Sequence, residues 1–351
     1  MYPIRILSRE QTEQVLDMKS VIADIEEVYS MKTRHAGKLF PLVFHEFEPD
    51  AADMDIKSGL LEDAGIFGLK LVSWFGNNLG KGMPALTGTV MIFDLATGKP
   101  LGLLSAEHVT GMRTGAAGAI GAKYLAKDNP ENLLIVGTGH QAAYQVAASL
   151  IALNGIKKVR VYSPVHNENA IGFTAKIKSV LSGNFLSKYK PGSEDYNSFA
   201  EKFDVSFEAV TDIKAATENS DVIITVTPSR KPIIQNEWVQ KGAHLSCVGA
   251  DMTGKQEIDE NIFARAKIFV DDIVQATEVG ECEIPLKKGV ITQDSIAGEI
   301  GELISGRKKG RDSGDGITIF DSTGIALQDL MTASRALKLA EEKNIGEVVD
   351  L

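Results

Sequence analysis

An apolar run, Leu133–Val136, leads directly into Gly137-Thr138-Gly139-His140-Gln141-Ala142 and then into a helix-like stretch from Ala143 to Leu153. That order suits a dinucleotide pyrophosphate. Gly137 permits the tight turn, Gly139 lets backbone approach phosphate, and Ala142 keeps the helix close to the sheet. The helix N-terminus adds N–H groups and a partial positive charge for the anion. Three charged residues also stand out by position. Lys70 lies inside the strand-like apolar segment Phe67–Val72, where a lysine is either functional or a snorkelling surface residue. Arg113 sits among the small side chains of Thr110–Ala117 at a helix start, open to close approach by a ligand or to a capping or interdomain ion pair. Asp251 follows Val248-Gly249-Ala250 at the carboxyl end of a core strand. An α/β sheet sets catalytic groups there, and loop capping is the other use of such an aspartate.

The elements that must hold these residues read as two domains, since 351 residues is long for one. Met18, Val21, Ile22, Ile25, Val28 and Tyr29 recur at helical spacing, with Gly37 as a stop. From Phe40 to Asp94 come short β-like runs, Leu42–Phe47, Gly68–Ser73 and Gly88–Phe93, separated by turn signals such as Gly76-Asn77-Asn78. A helical pattern over His108–Ala126 ends at a hinge, Asp128-Asn129-Pro130. Strand and helix then alternate. Strand candidates are Leu133–Val136, Val159–Tyr162, Val205–Ala209, Val222–Val226, His244–Val248, Ile268–Val270 and Ile317–Phe320. This alternation predicts an α/β fold with a doubly wound parallel sheet and ligands at the strand C-termini. Ser182–Lys202 reads as a polar surface excursion, and a last helix over Ala326–Lys343 returns to the first domain.

With 44% hydrophobic and 24% charged residues the composition is that of an ordinary globular protein. A net charge of −10 argues against nucleic acid as a partner, because phosphate binding needs a basic footprint. Two cysteines, Cys247 and Cys282, rule out a disulfide scaffold, and no Cys/His cluster suggests a metal. No apolar run approaches membrane-spanning length and Met1–Glu10 lacks a signal peptide's apolar core, so a cytoplasmic protein is expected. The second strand of the sheet ends Tyr162-Ser163-Pro164-Val165-His166-Asn167. No acid stands at its tip to bind a ribose 2′-hydroxyl, while Ser163, His166 and Asn167 can donate hydrogen bonds. NADP is therefore expected, with NAD as the alternative; the same residues also serve simply as a turn.

These motifs, taken together, resemble the ornithine cyclodeaminase/μ-crystallin family, which includes alanine dehydrogenases and ketimine reductases. The resemblance covers nearly the whole chain. It is carried by Gly68-Leu69-Lys70, Met83-Pro84, Arg113-Thr114-Gly115-Ala116-Ala117, Gly137 to Ala142, Gly249-Ala250-Asp251 with Gly254-Lys255, and Phe320 to Ala326. It implies a Rossmann domain over 129–321 and a discontinuous α+β substrate and dimerisation domain from 1–128 and 322–351, assembled as a homodimer. It also implies that Lys70 and Arg113 engage the substrate amino acid, that Asp251 is the acid/base group and that Thr323 lies on the substrate side. Thr114, Gly137, Thr138, Gly139, His140, Gln141, Thr227, Val248, Gly249, Lys255 and Ser322 would line the dinucleotide. The chain departs from the family at Leu42, where many members carry a carboxylate-binding arginine, and at Ala85. At Lys57 it departs again, where ornithine cyclodeaminase has a substrate-side glutamate. Lys57 is then a candidate anion partner on the substrate side.

Physical chemistry suits those roles. The Arg113 fork matches a carboxylate. A partly desolvated Lys70 near Arg113 would have a lowered pKa and could relay a proton from an amine. Asp251 could serve the amine or an attacking water. The expected activity is NAD(P)-dependent oxidoreduction at the C–N bond of a small amino, imino or keto acid. The alternatives are redox-neutral cyclodeamination and a non-catalytic dinucleotide-binding protein.

Overall fold

The computed structural model describes residues 2–49 and 51–351. The chain divides into two compact units, one running up to Arg113 and resumed at Ile325–Leu351, the other Thr114–Gly324.

The first unit is built on one sheet whose strands run in the order Glu347–Asp350, Pro3–Leu7, Pro100–Ser105, Leu86–Asp94, Ile66–Phe75, Ala52–Leu61, Gly37–Leu39. Val43–Glu48 also pairs with Ala52–Leu61. Every pairing is antiparallel except Pro3–Leu7 with Pro100–Ser105. Ile66, Gly68 and Lys70 are buried while Phe67, Leu69 and Leu71 are less so, the period-two pattern of a sheet covered on one face. That cover is the helix Ala326–Glu342. Its apolar stripe Ala326, Leu330, Ala333, Leu337, Ala340 recurs at spacings of four and three. Glycines in the strands let it sit close. A Cβ at Gly68 would strike the Met91 carbonyl and reach Leu330, and one at Gly102 would strike Leu337. The expected helix near the start is Met18–Thr33, opened by Asp17, whose Oδ1 accepts from Ser20 N at 2.9 Å.

The second unit carries an eight-stranded sheet, all of it parallel. Its order is Ser206–Ala209, Lys158–Tyr162, Asn132–Val136, Val222–Thr225, His244–Cys247, Ile317–Asp321, Ala266–Val270, Ile296–Glu299. The chain starts in the middle at Asn132–Val136, builds outward, then returns to Val222–Thr225 on the other side. That reversal makes a crevice at the strand C-termini.

Two expectations from the sequence differ from the structure. The units divide at Arg113/Thr114 and Gly324/Ile325 instead of at 128/129 and 321/322. The division falls inside the helix Ala106–Leu125 because its second half packs on the parallel sheet's layer. A side chain at Gly115, Gly118 or Gly121 would strike Tyr144, Gln145 or Phe320 respectively. Ser182–Lys202 is no loose excursion. It contains most of the helix Glu194–Phe203, which buries Phe199 and Phe203 and sends Lys202 Nζ to the Ile151 carbonyl at 2.9 Å. The chain ends also pair as strands, with Ile4 opposite Val349. Among the described residues no helix is long and apolar enough to cross a membrane.

Candidate active site

In the first unit Lys70 stands mid-strand on the face under the helix Ala326–Glu342 and is only 3% exposed, which excludes the snorkelling alternative. Its Nζ lies 2.9 Å from Asp329 Oδ2. Arg113 Nε donates to Asp329 Oδ1 at 3.0 Å, so one fully buried carboxylate serves two cations. Arg113 Nη1 donates to Gln328 Oε1 at 3.3 Å, and Gln328 Nε2 donates to the Tyr29 hydroxyl at 2.7 Å. Two consecutive helix residues thus hold the cluster. Lys57 is directly opposite Lys70 in the strand register, which puts both side chains on one face.

These neighbours set the charges. Burial, then the Arg113 charge, lowers the Lys70 ammonium to about 8 against the pull of Asp329, and Lys57 pushes the same way as Arg113. Burial opposes ionisation of Asp329, but Arg113 and Lys70 outweigh it and hold the carboxyl below its ordinary range. A lysine poised near neutrality beside a fixed arginine can hold a substrate acid and exchange a proton with it. Asp329 and Gln328 were not read from the sequence. The available signal is an acid beside Leu330 on the otherwise apolar stripe of a helix.

In the second unit the glycine turn sits at the sheet's reversal. Gly137 has φ +120°. A Cβ there would come within 2.7 Å of the Val226 carbonyl and 3.0 Å of the Thr227 methyl, so the first turn needs glycine for its own packing. Gly139 differs: nothing lies within 4 Å of where its Cβ would be. It caps the helix His140–Ala152 without a side chain, so no side-chain cap occupies the first-turn N–H groups. Thr138 and Gly139 border a cavity of about 660 Å³ that also touches Ala143, Glu168 and Asn169. Ser163 is buried. His166 is exposed at the start of the helix Asn167–Val180. The buried Asn167 Oδ1 has no partner among the described residues. An open glycine backbone and an uncapped helix start beside a cavity fit a phosphate-bearing ligand. His140 packs against Tyr144 with ring centroids 5.2 Å apart, Gln141 follows it in the helix's first turn, and the Thr114 carbonyl accepts from Gln145 Nε2 at 2.9 Å.

Buried carboxylates tie down the other strand-end loops. Glu257 accepts from Thr227 N at 2.5 Å and from Gly249 N, just after Val248, at 3.1 Å. Burial raises Glu257 to about 7 despite those bonds. Asp271 accepts from Ser322 Oγ at 3.2 Å, Thr323 Oγ1 at 2.9 Å and Gly324 N at 2.7 Å. Ser322 and Thr323 therefore lie within this compact unit. Asp251 stands half exposed on its loop with Lys255 Nζ 2.5 Å from its Oδ1, and Glu283 secures the same loop through Gly254 N at 2.7 Å. Glu257, Asp271 and Glu283 were not read from the sequence, because each ties down a loop through at least one partner 29 to 53 residues away. Among the described residues no group of three or more His, Cys, Asp or Glu is placed to hold a metal.

Comparison with known proteins agrees over the full length. The chain is 35% identical over 346 residues to an alanine dehydrogenase of Archaeoglobus fulgidus, covering 98% of this chain and 97% of the relative. Its fold superposes with a TM-score of 0.87 on an archaeal alanine dehydrogenase dimer with bound NAD, at 34% identity and 99% coverage of both chains. The score is also 0.87 for the Δ1-pyrroline-2-carboxylate reductase of Thermococcus litoralis in complex with NADH and L-proline, at 29% identity and covering 99% of this chain and 100% of that one. The family model for ornithine cyclodeaminase/mu-crystallin matches residues 5–183 and 186–344. With its buried lysine–arginine cluster and its open glycine turn at the reversal of a parallel sheet, the chain belongs to the ornithine cyclodeaminase/mu-crystallin family.

Proposed function

We propose that this protein is an oxidoreductase of the C–N bond in a small amino or imino acid, using a nicotinamide dinucleotide. The observation that carries the reading is the buried Lys70–Asp329–Arg113 cluster, a costly arrangement that no packing requirement explains. The family relatives act on such acids, and two of their structures hold NAD or NADH. The dinucleotide supplies hydride chemistry when bound. Arg113 binds the substrate carboxylate through its guanidinium fork. Lys70 holds or moves a proton at its Nζ, and Lys57 adds positive charge on the same sheet face. Asp251 is the acid/base group, kept near Lys255 until substrate engages it. The turn Gly137–Gln141 receives the pyrophosphate, with Thr114, Thr227, Val248, Gly249, Lys255 and Ser322 lining the dinucleotide and Thr323 on the substrate side.

The cofactor reading extends to NADP. The strand tip at Ser163 carries no carboxylate to repel a 2′-phosphate; the next acid along the chain, Glu168, lies in the first turn of the following helix and borders the same cavity as Gly139. A screen of NADPH and NADH oxidation with keto acids plus ammonia, and with cyclic imino acids, tests both points. Stoichiometric loss of reduced cofactor is expected, with NADPH used at least as well as NADH, and Lys57→Ala is expected to raise KM for the acid. Turnover without net cofactor loss would mean cyclodeamination. A tenfold preference for NADH would remove the NADP reading.

The working unit proposed is a homodimer. Phe40, Leu42, Val43, Phe44 and Phe47 are exposed in and beside the strand Val43–Glu48, as are Phe75, Met83 and Leu86. Exposed apolar side chains gathered in this way support an interface, and a relative's structure is a dimer. Sedimentation is expected to give about twice 37.8 kDa, and Phe44→Glu with Phe47→Glu to give the monomer.

A further inference from the structure

Lys70 is surrounded by like charge. Lys57 faces it across the strand pair, an arrangement that is unfavourable by itself. Arg113 lies beside it, and its other strand neighbour, Val90, is fully buried and apolar. The strand that carries Lys57 also has Asp55 on the same face, paired with Val72, and Asp53, paired with Trp74, both farther along. The one ion pair Lys70 makes among the described residues is with Asp329. Asp329 also takes the Nε edge of Arg113, and Gln328 takes Nη1, so Nη2 is left without a hydrogen bond among the described residues.

We propose that Asp329 is the positioning residue of this site, a fixed carboxylate that pins the Lys70 ammonium between two other cations and turns Arg113 so that Nη2 is presented to the substrate acid. The inference rests on the functional reading above but is separable from it. Asp329 itself takes no part in bond making. Its charge keeps Lys70 proton-bearing at neutral pH against burial, Arg113 and Lys57. Its position on the first turn of Ala326–Glu342, anchored by Gln328 to Tyr29, makes that charge immobile. A mobile surface acid would not hold Lys70 and Arg113 in one fixed relation.

The test reads Lys70 directly. In the full-length protein with ¹³C-labelled lysine, the Lys70 Cε signal, assigned by its loss in Lys70→Arg, is titrated in the parent and in Asp329→Asn. A midpoint near 8 is expected in the parent, lower by about one on the pH scale in Asp329→Asn. KM for the substrate acid should rise about tenfold as Arg113 loses its anchor, with dinucleotide affinity unchanged, while Asp329→Glu restores most of the midpoint and little of the KM. A purely structural role would lower thermal stability and leave KM for the acid in place, whatever the midpoint does, and that result overturns the proposal. If Asp329→Asn does not fold, Asp329→Glu decides alone: unchanged KM and an unchanged midpoint overturn it. A shifted midpoint with weaker binding of an amino or keto acid, in a protein that turns none over, would sustain this inference and sink the activity reading. Turnover with an unmoved midpoint would do the reverse.

Discussion

Lys70→Met is expected to lower turnover at least about a hundredfold while leaving the protein folded and able to bind dinucleotide. Loss of a positioned proton donor or acceptor costs about 10²–10⁴ in rate. Methionine fills a similar volume, and Asp329 keeps Arg113 as its partner at 3.0 Å, so no isolated charge is left buried. The pH dependence carries a sign. Lys70 is protonated below about 8. In the reductive direction, which needs a proton delivered to the substrate, activity should fall as pH rises through that value. In the oxidative direction, which needs one accepted, activity should rise. Asp251→Asn should be as damaging as Lys70→Met without moving that limb. Near-normal turnover in both variants, in steady-state assays with any substrate the screen identifies, would show that the chemistry lies elsewhere.

Gly139→Ala should fold as well as the parent and bind dinucleotide at least about tenfold more weakly. The added methyl meets nothing of the protein within 4 Å, and the backbone there, φ −74° and ψ −169°, is open to alanine. Any penalty must come from what the turn receives, and tenfold corresponds to about 1.4 kcal/mol. Gly137→Ala separates the two effects. Its φ of +120° and the Val226 carbonyl at 2.7 Å make the substitution strained, at about 1–3 kcal/mol, so melting temperature and affinity should fall together. Calorimetric melting with titration of NADH and NADPH reads both. Equal affinity in Gly139→Ala and the parent would mean that the open backbone is not a phosphate site.

Much of the fold was legible because it is written locally. Leu133–Val136, the glycine turn and the helix after it are contiguous. Seven strands of the parallel sheet announced themselves as short apolar runs, and the structure moves their ends by one or two residues. What stayed hidden depended on distant pairing. Ile296–Glu299 is a short edge strand whose place is set by Ala266–Val270. The strand Glu347–Asp350 takes its form from Pro3–Leu7 across nearly the whole chain, and Pro3–Leu7 in turn pairs with Pro100–Ser105. Ser182–Lys202 looked like surface because its polar residues outnumber Phe185, Phe199 and the other apolar anchors that dock it.

For the candidate site the division is similar. Residue type and local spacing were enough to single out Lys70, Arg113, Asp251 and Gly137 to Gln141, since a strand-embedded lysine, an arginine among small residues and a strand–turn–helix each carry their chemistry within about ten residues. Only the tertiary structure decided that Lys70 is buried and that Arg113 shares its counter-ion. That counter-ion, Asp329, lies 216 residues beyond Arg113 on a helix that comes back over the first sheet. The physical reason is that a side chain's type depends on the residue alone, whereas its charge state and aim depend on which groups the fold brings within a few ångströms.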